Sequence, residues 1–211
     1  MKKLMVVGAS GGTGKQVVEQ ALKAGYRVTA LVRDPLAFAL QHPNLKLVKG
    51  NVLQPQSFQN ELNGMEAVVS CLGIPKVEKT TLYSESMKNI TTAMKDTGVN
   101  RIVCISSGAI DIPPDSSFIM SFLLKNVLQR IYKPVYSDMV QMESILENSD
   151  LNWTIVRAPK LTNGKNTKTY RIITQKPLRN IPKISRADLA DYMLNHLNDV
   201  TTYKTKVEIA Y

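Results

Sequence analysis

Leu4-Met5-Val6-Val7-Gly8-Ala9-Ser10-Gly11-Gly12-Thr13-Gly14 is the stretch on which the fold turns. Four apolar residues without polar alternation have the character of a short strand covered on both faces. Three glycines spaced three apart follow at once, and a helical pattern over 12–24 ends at Gly25, where a left-handed cap is wanted. Strand, glycine-rich turn and helix in that order form the setting of an anion site. Glycines let the turn tighten and let backbone N–H groups approach a phosphate, whose charge then meets the positive end of the helix. The spacing is G-x-x-G-x-x-G rather than G-x-G-x-x-G, so a plain tight turn is the competing reading. Gly8, Ser10, Gly11, Gly12, Thr13 and Gly14 are the candidate pyrophosphate-binding residues, with Ser10 and Thr13 adding hydroxyl donors.

Working outward, apolar runs of strand length at 4–7, 27–32, 45–48, 67–71, 102–106 and 153–156 are each followed by a longer amphipathic or turn-rich segment. Further helices are expected at 80–97 (stopped by Gly98), at 137–148 and at 186–197. The last has Ser185 as N-cap and Asp188 in its first turn, which suits the helix dipole. Repeated β-α-β units predict an α/β fold: a Rossmann-like, doubly wound, mostly parallel sheet with helices on both faces. With 211 residues the chain is expected to be one domain, 1–211. Residues 111–135 fit least well. They open Asp111-Ile112-Pro113-Pro114, continue as a strongly apolar stretch, and are expected to form an inserted helical lid.

Where the second strand ends, the sequence offers Arg33-Asp34-Pro35. An acidic residue there would receive ribose hydroxyls and select NAD(H). Asp34, however, has a structural job as N-cap of a short helix with Pro35 at its first position. That leaves Arg33 to pair with a 2′-phosphate, so NADP(H) is expected over NAD(H). Asn51 and Val52 after the third strand, and Leu72 and Gly73 after the fourth, flank the same crevice at the carboxyl edge of the sheet and are expected to line the adenine or ribose.

Composition narrows the partners. The 44% apolar and 21% charged fractions are those of a folded globular protein. A net charge of +10 favours anionic partners, and residues 151–187 hold nine Lys or Arg and no Asp or Glu. Either an anion binds there or the stretch is a solvated basic face. A nucleic-acid partner is disfavoured, because Trp153 and Tyr170 are the only aromatics nearby for stacking. Cys71 and Cys104 lie in apolar strand-like runs, which argues against a disulfide scaffold or a metal site. The apolar stretch after Met1-Lys2-Lys3 stops at Gly8, too short for a signal peptide, and no run suffices for a membrane span. A cytoplasmic location is expected.

Taken together, Gly8–Gly14, Val32-Arg33-Asp34-Pro35, Gly50-Asn51-Val52-Leu53 and Ile184-Ser185-Arg186-Ala187-Asp188-Leu189-Ala190 resemble the atypical short-chain dehydrogenase/reductases with an NAD(P)-binding, NmrA-like fold. Among them the likeness is to the flavin reductases of the biliverdin reductase B kind. It extends through Ser84-Glu85-Ser86-Met87-Lys88-Asn89-Ile90 and Ile145-Leu146-Glu147-Asn148-Ser149. The resemblance implies an NADPH-dependent reductase of flavins or similar planar acceptors. It puts the family's active-site serine at Ser107, at the end of the fifth strand, and puts Lys160 where the flavin reductases carry a histidine. The Tyr-x-x-x-Lys pair of standard members is missing, since Tyr136 is followed four residues later by Val140. Hydride transfer to a delocalised ring needs less local acid catalysis than alcohol chemistry, so the departure fits a flavin- or quinone-like acceptor. NmrA-like members that bind the nucleotide as redox sensors are the alternative. For residues 111–135, a homodimer contact or core packing is the alternative to a lid.

Overall fold

The computed structural model describes residues 2–111, 129–174 and 183–211. Its strands and helices run β1 (Lys3–Val7), α1 (Gly12–Lys23), β2 (Arg27–Val32), β3 (Leu45–Lys49), β4 (Ala67–Ser70), α2 (Leu82–Thr97) and β5 (Arg101–Ser107). They continue with α3 (Gln129–Glu147), β6 (Asn152–Ala158), β7 (Lys160–Thr162), β8 (Arg171–Thr174), β9 (Lys183–Ser185), α4 (Arg186–Asn195) and β10 (Thr205–Ala210). Eight strands form one sheet in the order β3-β2-β1-β4-β5-β6-β10-β8, parallel except for β8, which runs antiparallel to β10. The short strands β7 and β9 pair in parallel beside it. The expected doubly wound α/β sheet is thus observed.

Alternation along the strands divides the core. Leu4, Val6, Val28, Ala30, Val69, Val103, Val156 and Val207 face α1 and α4. Met5, Val7, Val68, Ile102, Cys104 and Ile155 face α2 and α3. Both sides are apolar because helices cover both, which is why the strands read as unbroken hydrophobic runs. Gly25 and Gly98 adopt the expected positive φ, 82° and 73°, just beyond α1 and α2.

Two expectations shift. The helix expected from Ser137 already includes Gln129, and it carries Pro134 inside rather than before it. Proline removes one backbone bond and signals a break in sequence, yet Val135, Met142 and Leu146 are buried and hold this helix on the sheet. The rest of the expected lid, 112–128, lies outside the described residues. The four strands β7 to β10 were not anticipated. Three of them are three or four residues long, too short for periodicity to register.

Candidate nucleotide site and its neighbours

The strand order reverses at β1, so the carboxyl ends of β1 and β4 open a crevice between helices on opposite faces. Ligands of such sheets sit at that switch point. Gly8 leaves β1 with φ +74°, and a Cβ there would lie 2.6 Å from the Cys71 carbonyl oxygen, so the turn is pressed against the end of β4. At Gly14 a Cβ would meet the Gly8 oxygen at 2.2 Å. These two glycines are explained by the turn folding onto itself.

The Gly11 N–H donates to the Gly8 oxygen at 3.1 Å, closing the turn. That donor is committed to the protein, and the donors left facing outward belong to the next residues. Gly12, Thr13 and Gly14 precede the first helical bond, from the Lys15 N–H to the Gly11 oxygen at 2.9 Å. Gly11 as N-cap supplies no side chain, and the first turn holds no acidic residue. Ser10, Gly11 and Gly12 are exposed, while Thr13 and Gly14 are buried. A Cβ at Gly12 would collide with a different element, reaching Cδ and Nε of Arg186 at 2.7 and 2.8 Å. In the sequence Arg186 is one of the nine cations of 151–187 and part of a motif, and nothing local brings it to this turn.

After β2, Asp34 Oδ1 accepts the Leu36 N–H at 3.0 Å and caps the turn Pro35–Ala37. Arg33 beside it is exposed. After β3, Asn51 Oδ1 accepts the Leu53 N–H at 3.0 Å, and Val52 is buried with its carbonyl bound by Asn89 of α2 at 3.0 Å. Leu72 is half-buried and Gly73 exposed beyond β4, where the Tyr83 hydroxyl of α2 meets the Ile74 backbone. These residues rim one crevice at the carboxyl edge.

Farther along the edge, at the end of β5, Ser107 is half-buried. Its Oγ accepts the Ala109 N–H at 3.2 Å, and its side chain lies beside the Tyr136 hydroxyl. Burial pushes the Tyr136 phenol above its ordinary pKa and the Ser107 side chain pulls part of the way back, so the phenol is protonated at neutral pH. Tyr132 stacks on Tyr136 with ring centroids 5.5 Å apart. Four residues on from Tyr136 stands Val140, so no lysine lies one helical turn along from it. Only the missing lysine is visible in the sequence; the pairing needs α3 laid beside β5.

Asp138, two residues on from Tyr136, is buried and accepts the N–H groups of Tyr83 at 2.8 Å and Ser84 at 3.3 Å. It caps α2 from another helix and joins α3 to the loop after β4. Lys160 opens β7 opposite Lys183 of β9, with its side chain exposed.

The basic run of 151–187 is not one solvated face. Arg157 is buried and donates to Glu143 from Nε at 3.0 Å and from Nη2 at 2.6 Å, and it also pairs with Asp111. Burial opposes its charge, but Glu143 and Asp111 outweigh that and hold the guanidinium protonated. Arg171 is engaged by the Tyr211 carbonyl. Arg157 and Arg171 are thus committed internally, whereas Lys176 and Arg179 lie outside the described residues. A hollow of about 400 Å³ lined by Lys3, Arg27, Asn44, Lys46 and Glu61 sits at the opposite, amino edge of β1 to β3, away from all of these groups.

A parallel sheet with a bare helix N-terminus at its switch point is the Rossmann-like arrangement of nucleotide-binding proteins. Residues 8–200 match the model of a family described as NAD(P)H-binding, and the chain belongs to that family. It is 30% identical over 183 residues to an uncharacterised chloroplastic protein of Arabidopsis thaliana, spanning 79% of this chain but only 61% of that protein's length. It is 23% identical to the uncharacterised YwnB of Bacillus subtilis, covering 94% and 92% of the two chains. Among solved structures, a Streptococcus pneumoniae protein described as a candidate NADH-flavin reductase superposes with a TM-score of 0.77 at 24% identity, covering 100% of this chain and 99% of that one. A Veillonella parvula short-chain dehydrogenase/reductase in complex with NADP gives 0.80 at 17% identity, covering 100% and 94%. At these identities the structural likeness shows the fold. Among the described residues no helix is long and apolar enough to cross a membrane, and no cluster of metal-ligating residues occurs.

Proposed function

We propose that the chain is an NADPH-dependent reductase that delivers hydride to a flavin, a quinone or a similar planar acceptor, in the manner of the atypical, flavin-reductase-like short-chain dehydrogenases. The observation that carries this reading is the approach of the Ser107 side chain to the Tyr136 phenol at the end of β5, with Val140 where a lysine would lower the tyrosine's pKa. A protonated phenol without a neighbouring cation is a poor partner for alkoxide chemistry. It is adequate for orienting a carbonyl on a ring whose reduced form spreads its own charge and draws its proton from solvent.

When bound, reduced nicotinamide supplies the hydride. The protein's part is to bind and position. Gly12, Thr13 and Gly14 offer N–H groups at the positive end of α1, with hydroxyls from Thr13 and Ser10. Arg33, left free because Asp34 turns its carboxylate into its own backbone, reads a 2′-phosphate and favours NADPH. Asn51, Val52, Leu72 and Gly73 border the adenine and ribose. Ser107 and Tyr136 present hydroxyls to the carboxamide or the acceptor, and Lys160 attracts an anionic acceptor from the rim.

Binding without turnover is the second reading. It is favoured by the Ser107 oxygen being already engaged by Ala109, and it accords with family relatives named photosystem II assembly factors, such as that of Cyanophora paradoxa, 26% identical over 155 residues covering 73% of this chain and 44% of that protein. Mixing the purified protein with NADPH or NADH and FMN, riboflavin or a simple quinone, and following nicotinamide absorbance against a blank, separates the two. Turnover preferring NADPH supports the reductase; tight binding with no turnover supports the sensor.

A further inference from the structure

We propose that Arg186 is a pyrophosphate ligand of the dinucleotide, reaching from the first turn of α4 into the space that Gly12 leaves open at the start of α1. The inference rests on the nucleotide reading of the glycine turn and adds to it a cation 174 residues away in the chain.

Gly12 is the one glycine of the turn whose missing side chain is replaced by another residue's side chain. The Arg186 Cδ and Nε lie 2.7 and 2.8 Å from the point where a Cβ would stand, so the arginine stem crosses the Gly12 α-carbon. At Gly8, Gly11 and Gly14 the atom nearest that point belongs to the backbone. Nη1 of Arg186 donates to Asn163 Oδ1 at 2.7 Å, which steadies the guanidinium. Among the described residues it forms no ion pair. Asp188, the carboxylate nearest in sequence, is turned away and accepts from the Ser185 hydroxyl, the Thr167 and Lys168 N–H groups and the Tyr211 hydroxyl.

Electrostatics makes this placement informative. The N–H groups of Gly12, Thr13 and Gly14, which have no acceptor within the helix, form the positive end of the α1 dipole, and a guanidinium laid over them is repelled. The fold nevertheless holds it there: α1 and α4 pack together, and Gln20 of α1 donates to the Ala187 carbonyl at 2.9 Å. Two positive elements kept on one spot, with no ion pair to the guanidinium among the described residues, become favourable together when a dianionic pyrophosphate arrives. A planar guanidinium bonds its oxygens in pairs, from the side opposite the backbone donors.

A pyrophosphate ligand is blind to the 2′-phosphate, unlike Arg33, and this makes the assignment testable by binding alone. The affinities of wild type, Arg186→Gln and Arg186→Lys for NADPH, NADH, ADP-ribose and adenosine 2′-monophosphate are measured by calorimetry, with melting curves as a check on folding. Arg186→Gln is expected to weaken NADPH, NADH and ADP-ribose alike, by about tenfold to a hundredfold as for a lost charge-assisted bond. The monophosphate, which lacks the pyrophosphate, is expected to bind both proteins equally. Arg186→Lys should fall between, keeping the charge but not the fork. Unchanged affinity of a folded Arg186→Gln for both dinucleotides overturns the proposal while leaving the site intact, as does a loss confined to NADPH. A wild type that binds neither dinucleotide overturns this proposal and the functional reading together.

Discussion

Helices α1 and α4 lie side by side on one face of the sheet, and their N-terminal ends are built in opposite ways. α4 is closed by its own chain. Ser185 Oγ accepts the Asp188 N–H at 2.9 Å, and the buried Asp188 carboxylate then gathers the Thr167 and Lys168 N–H groups at 2.7 and 2.8 Å and the Tyr211 hydroxyl at 2.6 Å. α1 starts on a glycine, has no acidic residue in its first turn, and meets an arginine instead. An end sealed by a carboxylate is structural; an end left bare beside a cation is reserved for an anion from outside. α2 follows the sealed pattern, with Asp138 supplying its carboxylate from α3.

Unsealing α4 is the harshest way to break the contrast. Asp188→Ala should cost about 3–5 kcal/mol, because several hydrogen bonds to one buried carboxylate are lost at once; chemical denaturation measures it. The same carboxylate sets an acid limit. Burial opposes its charge, but the bonds from Tyr211, Lys168 and Thr167 outweigh that and hold its pKa below the usual carboxylate range. A depressed pKa contributes stability that is complete above the unfolded value of about 4 and is lost as pH falls through the folded one. Melting temperatures taken from pH 7 down to 3 should therefore drop at the acid end, and less steeply in Asp188→Asn.

Sealing α1 is the converse. Gly11 has the extended φ and ψ of an ordinary N-cap, −70° and 161°, so Gly11→Asp should stabilise the helix by about a few tenths of a kcal/mol. Its carboxylate would repel the pyrophosphate, and NADPH affinity should fall by about a hundredfold or more. Retained affinity would mean that α1 is not the phosphate end. Arg33→Ala sharpens the contrast at the far side of the site: NADPH should weaken by about tenfold to a hundredfold and NADH hardly at all, and equal losses would remove the 2′-phosphate assignment. Smallest is Tyr136→Phe, expected to lower turnover of a flavin acceptor by about tenfold or less with nucleotide binding unchanged. A far larger loss would point to an acceptor that needs a proton from the protein.

Legibility followed sequence separation. The open end of α1 could be read directly, because a strand, its glycines and its helix are contiguous and each glycine answers a steric demand within a few residues. Asp34 and Ser185 as caps were legible for the same reason, their partners lying two and three residues on. Strands β7 to β10 were not, being brief and stabilised by neighbours rather than by their own pattern.

By itself, then, the sequence determined the α/β sheet, the glycine turn between β1 and α1 and the helix ends capped from within, all consequences of local backbone geometry and periodicity. Tertiary structure alone decided which cation stands over the bare helix, that Tyr136 meets Ser107, that Asp138 caps α2, and that Arg157 is consumed by Glu143 instead of offered to a ligand. The reason is physical. Each of those contacts joins side chains from different elements, and their meeting depends on strand order and helix packing, which no local spacing encodes.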